Sequence, residues 1–216
     1  YIKRITAAVS ALSEKKVKLD CKVCQLVKLY KDGKPFKMSK RAGDFISAQD
    51  LLKEVNKDSI RFMMLNRSND VELDFDFDKV KEKSKENPVF YVQYAFARIN
   101  SLHRSLNIKL NSKIILNEKN FKLNTIEEKI IRKIFEWPKV VESASKKFEV
   151  HKIPFYLYDL STLFHSYWSK GNEDKKLKFI ENEKIKRIEI LAIINLVTIV
   201  IQNGMKILGV SLPEKM

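Results

Sequence analysis

"NPVFYVQYAFARINSLHRSL", residues 87–106, is the stretch on which the fold turns. After Pro88, the residues Val92, Ala95, Ile99, Leu102 and Leu106 recur at three- and four-residue intervals, which is one apolar stripe of a long α-helix. Tyr91, Tyr94 and Arg98 share a neighbouring face. The stripe reads as core. The tyrosine and arginine face fits ordinary packing, and it equally fits a surface turned to RNA, where rings stack on bases and cations hold the backbone. Periodicity does not choose between them.

Downstream the pattern stays helical. Residues 107–124 are rich in Asn and Lys without a period and read as a loop, with a turn of strand at residues 114–116. Helices are expected over 125–136, 138–149, 153–169 and 182–207. In the third of these, Ile153, Leu157, Leu160 and Phe164 make the core stripe, leaving Tyr158, His165, Tyr156, Tyr167 and Trp168 for other faces. Taken singly, an aromatic side chain more often packs in a core than meets a base. His165 is expected to close a hydrogen-bond network rather than to titrate or bind a metal. Residues 190–201 are strongly apolar, but they fall short of the ~18 residues of a membrane span and are interrupted by Asn195 and Thr198, so they read as a buried helix.

Upstream, residues 2–12 have helical spacing, and "LDCKVCQLVKLYKDGKPFKMSK", residues 19–40, reads as two short strands joined at Asp32-Gly33. Ser47 followed by Asp50 signals a capped helix through Val55, and Asp58 begins another that carries Ile60, Phe62, Met63 and Leu65. "NDVELDFDFDKV", residues 69–80, alternates apolar and acidic positions, as an extended segment running into a helix does. Asp74, Asp76 and Asp78 match the first ligand positions of a calcium loop. The match then fails, with Lys79 where Gly is required and Lys85 where Glu is required. Cys21 and Cys24 have the spacing of half a zinc site or a redox motif, but no second pair exists and His103, His151 and His165 lie far along the chain. Two small apolar residues in a buried strand are the expectation, with no protein-bound metal.

The 42 Lys and Arg against 27 Asp and Glu give a formal charge of +15 over 216 residues, which favours phosphate backbones or anionic membranes as partners. A hydrophobic content of 44% is enough for a real core and argues against disorder. The few cysteines suit a reducing compartment, and no secretory signal opens the chain. It begins with Tyr1 rather than Met, from which a fragment of a longer polypeptide is expected. The basic residues crowd in "GKPFKMSKRAGDF", residues 33–45, where Lys34, Lys37, Lys40 and Arg41 surround a turn. Such a loop is either a solvated surface turn or a grip for a phosphate chain.

"KMSKRAGDF", residues 37–45, resembles the second signature of class I aminoacyl-tRNA synthetases. "LDFDFDKVKEKSKENPVFYVQYAFAR", residues 73–98, is similar to the arginyl-tRNA synthetase family in particular. The similarity continues through "FYLYDLSTLFHSYW", residues 155–168, to "LGVSLPEKM", residues 208–216. The resemblance implies that ATP, with Mg2+, and arginine form arginyl-adenylate, that Lys37 and Lys40 close over the ATP phosphates, and that Met38 and Ser39 shape the loop. It implies a mainly α fold. A short β-hairpin and the KMSK loop, residues 1–87, would be the end of a class I Rossmann-type catalytic domain, and a helical anticodon-binding bundle would follow over 88–216. It implies tRNA(Arg) as partner, with Tyr91, Tyr94, Arg98, Tyr158, Trp168 and Met216 as candidate RNA contacts. A cytoplasmic monomer without membrane association is the expectation.

The family's other signature, an HIGH-type turn, does not occur in these 216 residues, so catalysis by this chain alone is not expected. A cysteinyl-type synthetase fragment and a non-catalytic tRNA-binding module are the alternatives.

Overall fold

The structure is a computed structural model, and it describes residues 1–36, 47–108, 122–182 and 184–216. The helix read from residues 87–106 is α4, Pro88–Ser105. Proline suits its first position, because that N–H would have no intrahelical acceptor. Val92, Ala95, Ile99 and Leu102 are buried as the stripe requires, and Leu106 closes the helix half-buried against the same core. α4 packs against α7 (Lys152–Glu173) and α8 (Ile188–Leu208), while α5 (Thr125–Phe135) and α6 (Trp137–Lys147) pack against α7 as well, so α7 is the helix that the others share.

Local chemistry sets the ends of these helices. Asn124 caps α5 by accepting from the N–H groups of Ile126 and Glu127, while Glu127 Oε2 accepts from the Asn124 N–H at 2.8 Å. Glu127 is wholly buried, and its second oxygen accepts from the Tyr167 hydroxyl at 2.5 Å and from Arg187. One carboxylate thus ties the starts of α5 and α8 to α7. Removing a partner from such a buried charge costs about 3–5 kcal/mol. α7 and α8 touch at Gly204, where a Cβ would lie 2.7 Å from a Leu157 methyl. α8 has the length and composition of a membrane-crossing helix, but most of it is buried inside the bundle.

The first part of the chain carries α1 (Ile2–Leu12), β1 (Val27–Lys31), β2 (Lys34–Phe36), α2 (Ala48–Glu54), α3 (Lys57–Leu65) and β3 (Leu73–Asp76). The sheet order is β2-β1-β3. β1 and β2 pair antiparallel with Lys31 opposite Lys34, and β1 and β3 pair parallel with Leu29 opposite Phe75. Asp32 and Gly33 both take positive φ, 52° and 69°, as a two-residue hairpin turn needs. The predicted box is present: the Ser47 side chain accepts from the Asp50 N–H, and the Asp50 carboxylate accepts from the Ser47 N–H and hydroxyl. Leu29, Val55, Phe75, Phe77 and Val80 form a second, smaller core. α3 serves both cores, sending Phe62 into the bundle and Ile60, Met63 and Met64 against the sheet.

Several expectations need correction. Cys21 and Cys24 are exposed and precede β1, so no buried strand contains them. The segment after β3 makes only a single 3-10 turn, Lys79–Lys81: Asp76 Oδ1 accepts from the Asp78 N–H, and Val80 is the one residue of the turn that is buried, in the smaller core. α3 begins at Lys57, capped by the Asn56 side chain, rather than at Asp58. α8 starts at Ile188 rather than near 182; before it, β4 (Ile180–Glu181) pairs with β5 (Lys184–Ile185). Tyr156 and Tyr167 are buried, their hydroxyls donating to the Lys133 carbonyl and to Glu127. The strand turn read at residues 114–116 lies outside the described residues.

Candidate nucleic-acid interface

Where α4 and α7 lie side by side, their aromatic and cationic residues form one row. The Arg98 guanidinium lies 4.4 Å from the centre of the Tyr94 ring and 5.2 Å from that of Trp168. It donates to the Tyr94 hydroxyl at 2.6 Å and to His165 Nδ1 at 3.1 Å. Because arginine only donates and a carbonyl only accepts, His165 Nδ1 must be the acceptor. Its Nε2–H therefore donates to the Tyr91 carbonyl, 3.1 Å away. Burial, with Arg98 close by, lowers the His165 pKa to about 4 and holds the ring neutral. Beyond His165 the row ends in Tyr91 and Tyr158, with ring centres 5.2 Å apart and the Tyr158 hydroxyl donating to the Lys85 carbonyl at 3.3 Å.

The C-terminal tail borders this row. α8 stops at Gly209, whose φ of +65° lets the Val210 N–H return to the Met205 carbonyl at 3.0 Å. The tail then runs across α4: Gln93 Nε2 donates to the Ser211 carbonyl at 2.9 Å and Arg104 Nη1 to the Glu214 carbonyl at 3.0 Å. From α3, Arg61 donates to the Leu208 carbonyl, and Asp58 accepts from the Ser211 hydroxyl. So held, Met216 stands half-exposed between two cavities. One, of about 520 Å³, is lined by Tyr94, Arg98, Arg104, Trp168, Lys215 and Met216. The other, of about 760 Å³, shares Tyr94 and Met216 and extends past Phe90 to the start of α4.

Of the residues singled out in the sequence, Tyr94, Arg98, Trp168 and Met216 thus converge on one cavity. Tyr91 and Tyr158 extend the row on the far side of His165 and line neither cavity. Lys37, Met38, Ser39 and Lys40 lie outside the described residues. Arg104, Ser101 and Lys215 were missed. Ser101 continues the Tyr94–Arg98 face by one further helical turn, so the spacing that found Arg98 reaches it, and Arg104 follows three residues after Ser101. Among the described residues no group of three or more His, Cys, Asp or Glu is arranged to hold a metal ion.

The cavity row falls within a segment of known kind. Residues 92–216 match the DALR anticodon binding domain. Over its whole length the chain is 55% identical to an arginine–tRNA ligase of Pelagibacter ubique and aligns with 37% of that protein. The ligase of Ruegeria pomeroyi is 49% identical, again across the whole chain and over 38% of its own length. The chain therefore spans under two fifths of the curated relatives it matches. Among solved structures, one given as an arginyl-tRNA synthetase from Campylobacter jejuni superposes on all of the chain and 45% of its own, with a TM-score of 0.79 at 29% identity. Thermus thermophilus arginyl-tRNA synthetase shares the fold over 89% of this chain and 35% of its own, at 18% identity and a TM-score of 0.62. With more than half of its residues inside that match, the chain belongs to the DALR anticodon binding domain family.

Proposed function

We propose that this chain is the C-terminal part of an arginyl-tRNA synthetase, a cytoplasmic monomer that attaches arginine to tRNA(Arg) with ATP. The division of labour follows the sequence: residues 1–87 finish the catalytic domain and residues 88–216 read the anticodon. Lys37 and Lys40 neutralise the phosphates of ATP, which arrives with Mg2+, while Met38 and Ser39 shape their loop. Phosphoryl chemistry of this kind asks the protein mainly for positive charge near the phosphates, which lysine side chains supply.

The observation that carries the reading is Arg98, held between Tyr94 and Trp168 beside a half-exposed Met216, inside the family-matched segment. A cavity with ring faces, a fixed cation and an adaptable thioether suits an unstacked base. In this reading Tyr91 and Tyr158 support the row, and His165 orients Arg98 by accepting from it. The cysteinyl alternative is not favoured, since the relatives named above are arginine–tRNA ligases. The test is attachment of arginine to tRNA by the protein that carries this chain, with each other amino acid as control. Arginine alone should be attached; charging with another amino acid, or none, would refute the assignment.

A further inference from the structure

The C-terminal tail, residues 209–216, takes no helix or strand, and Val210 is the one residue in it that is buried. Burial therefore does little to fix its path, while the conformational entropy of such a segment opposes any single path. Hydrogen bonds from two helices fix it instead. α4 supplies Gln93 to the Ser211 carbonyl and Arg104 to the Glu214 carbonyl. α3 supplies the other two from one face: Arg61 donates to the Leu208 carbonyl, and Asp58 accepts from the Ser211 hydroxyl. Both suit their places. The Leu208 carbonyl ends α8, where helix carbonyls lack an intrahelical donor and a guanidinium meets the negative end of the dipole. Asp58 stands in the first turn of α3, where the positive helix start favours a carboxylate. Ser211 is thereby gripped on both sides, its hydroxyl by α3 and its carbonyl by α4, a short step before Met216.

We propose that Asp58 and Arg61 are positioning residues for RNA recognition. α3 precedes the family-matched segment, residues 92–216, yet it sets where Met216 stands beside Arg98 and Trp168, and through Met216 how sharply the base in that cavity is selected. The inference rests on the proposed reading of that cavity. Asp58 and Arg61 do not line it, so they act on the base only through the tail. α3 is itself seated by Phe62 in the bundle and by Ile60, Met63 and Met64 against the sheet, so the face it turns to the tail is set before RNA arrives.

The experiment measures, for the full-length protein at fixed salt, the ratio of affinities for tRNA(Arg) and for the same tRNA with its anticodon bases replaced. Wild type should discriminate at least about tenfold, the scale of one base contact. Arg61→Met, Asp58→Ala and Ser211→Ala should each cut that ratio to about threefold or less. Tm should stay nearly constant in all three, because Arg61 and Ser211 are exposed and Asp58 is only half-buried. Arg61→Lys and Asp58→Asn, which keep a donor and an acceptor, should restore most of the ratio. In a protein without Lys215 and Met216, Arg61→Met should change it no further. Arg61→Met also removes a charge, and a plain phosphate contact has a different signature: both tRNAs weakened alike, with a salt slope lower by about one. That result, or variants that discriminate like wild type, overturns the positioning role and spares the reading of the cavity. If Arg61→Met unfolds, Ser211→Ala on the exposed tail decides by the same ratio. A wild-type protein that binds both tRNAs equally overturns both.

Discussion

At the scale of the residue, His165 shows how a buried ring can be decisive without doing chemistry. Its two nitrogens face groups of opposite hydrogen-bond sense, the Arg98 guanidinium and the Tyr91 carbonyl, so only the neutral Nε2–H tautomer satisfies both. Protonation would set two cations against each other beside Trp168. The pH dependence follows with its sign. The folded-state pKa is lowered to about 4, whereas an unfolded histidine titrates near 6.5, so the contribution of this group to stability is complete above pH 6.5. As pH falls from 6.5 to 4 the unfolded chain takes up a proton that the folded chain refuses, and stability declines, by at most about 3 kcal/mol at ~1.4 kcal/mol per unit. Urea midpoints at pH 7, 5.5 and 4.5 should show this decline in wild type and a flatter one in His165→Gln. Buried His103, whose pKa burial also lowers, adds to the slope of both proteins, so the difference between them isolates His165. Equal slopes would mean that His165 is not held neutral as described.

At the scale of the element, α4 and the tail differ in how legible they were. The α4 stripe was plain in the sequence because burial on one face of a helix imposes a period, and Val92, Ala95, Ile99 and Leu102 obey it. Tyr94 and Arg98 were found by the same spacing. What could not be read was partnership across sequence distance: the Gln93 bond to Ser211, the Arg104 bond to Glu214, and Glu127 joining α5 to Tyr167 and Arg187. The exposed cysteines failed for a related reason, since two apolar-looking residues before a strand do not say where pairing starts. The tail permits two contrasting experiments. Gly209→Ala would force a side chain into positive φ and bring its Cβ within 2.7 Å of Arg61 Nε, which donates to Leu208. A loss of about 1–2 kcal/mol is expected, seen as a Tm lower by roughly 2–6 °C. Deleting Lys215 and Met216 removes no buried residue, so Tm should stay nearly constant while charging of tRNA drops about tenfold to a hundredfold, the worth of one stacked base. If the deletion charges normally, or fails only by unfolding, the tail does not touch RNA.

At the scale of the whole molecule, charge and shape act together. A formal charge of +15 gives attraction to any polyanion, and it cannot by itself select one tRNA. Binding should therefore weaken steeply with salt for every tRNA, and salt-independent binding would deny the electrostatic part of the account. In the proposed reading, selection comes from the cavity lined by Arg98, Trp168 and Met216. The division between sheet and bundle is bridged by α3, whose Phe62 packs in one core while Ile60 packs on the other, so the sheet and the Arg98 row are parts of one connected framework. The measurement that reaches furthest is the affinity, at fixed salt, of the full-length protein and its Arg98→Ala variant for tRNA(Arg) and for the same tRNA with its anticodon bases replaced. The account predicts at least about tenfold weaker binding of the altered tRNA by wild type, the scale of one lost base contact, and little discrimination by the variant. Equal affinity of the wild-type protein for the two tRNAs would contradict it.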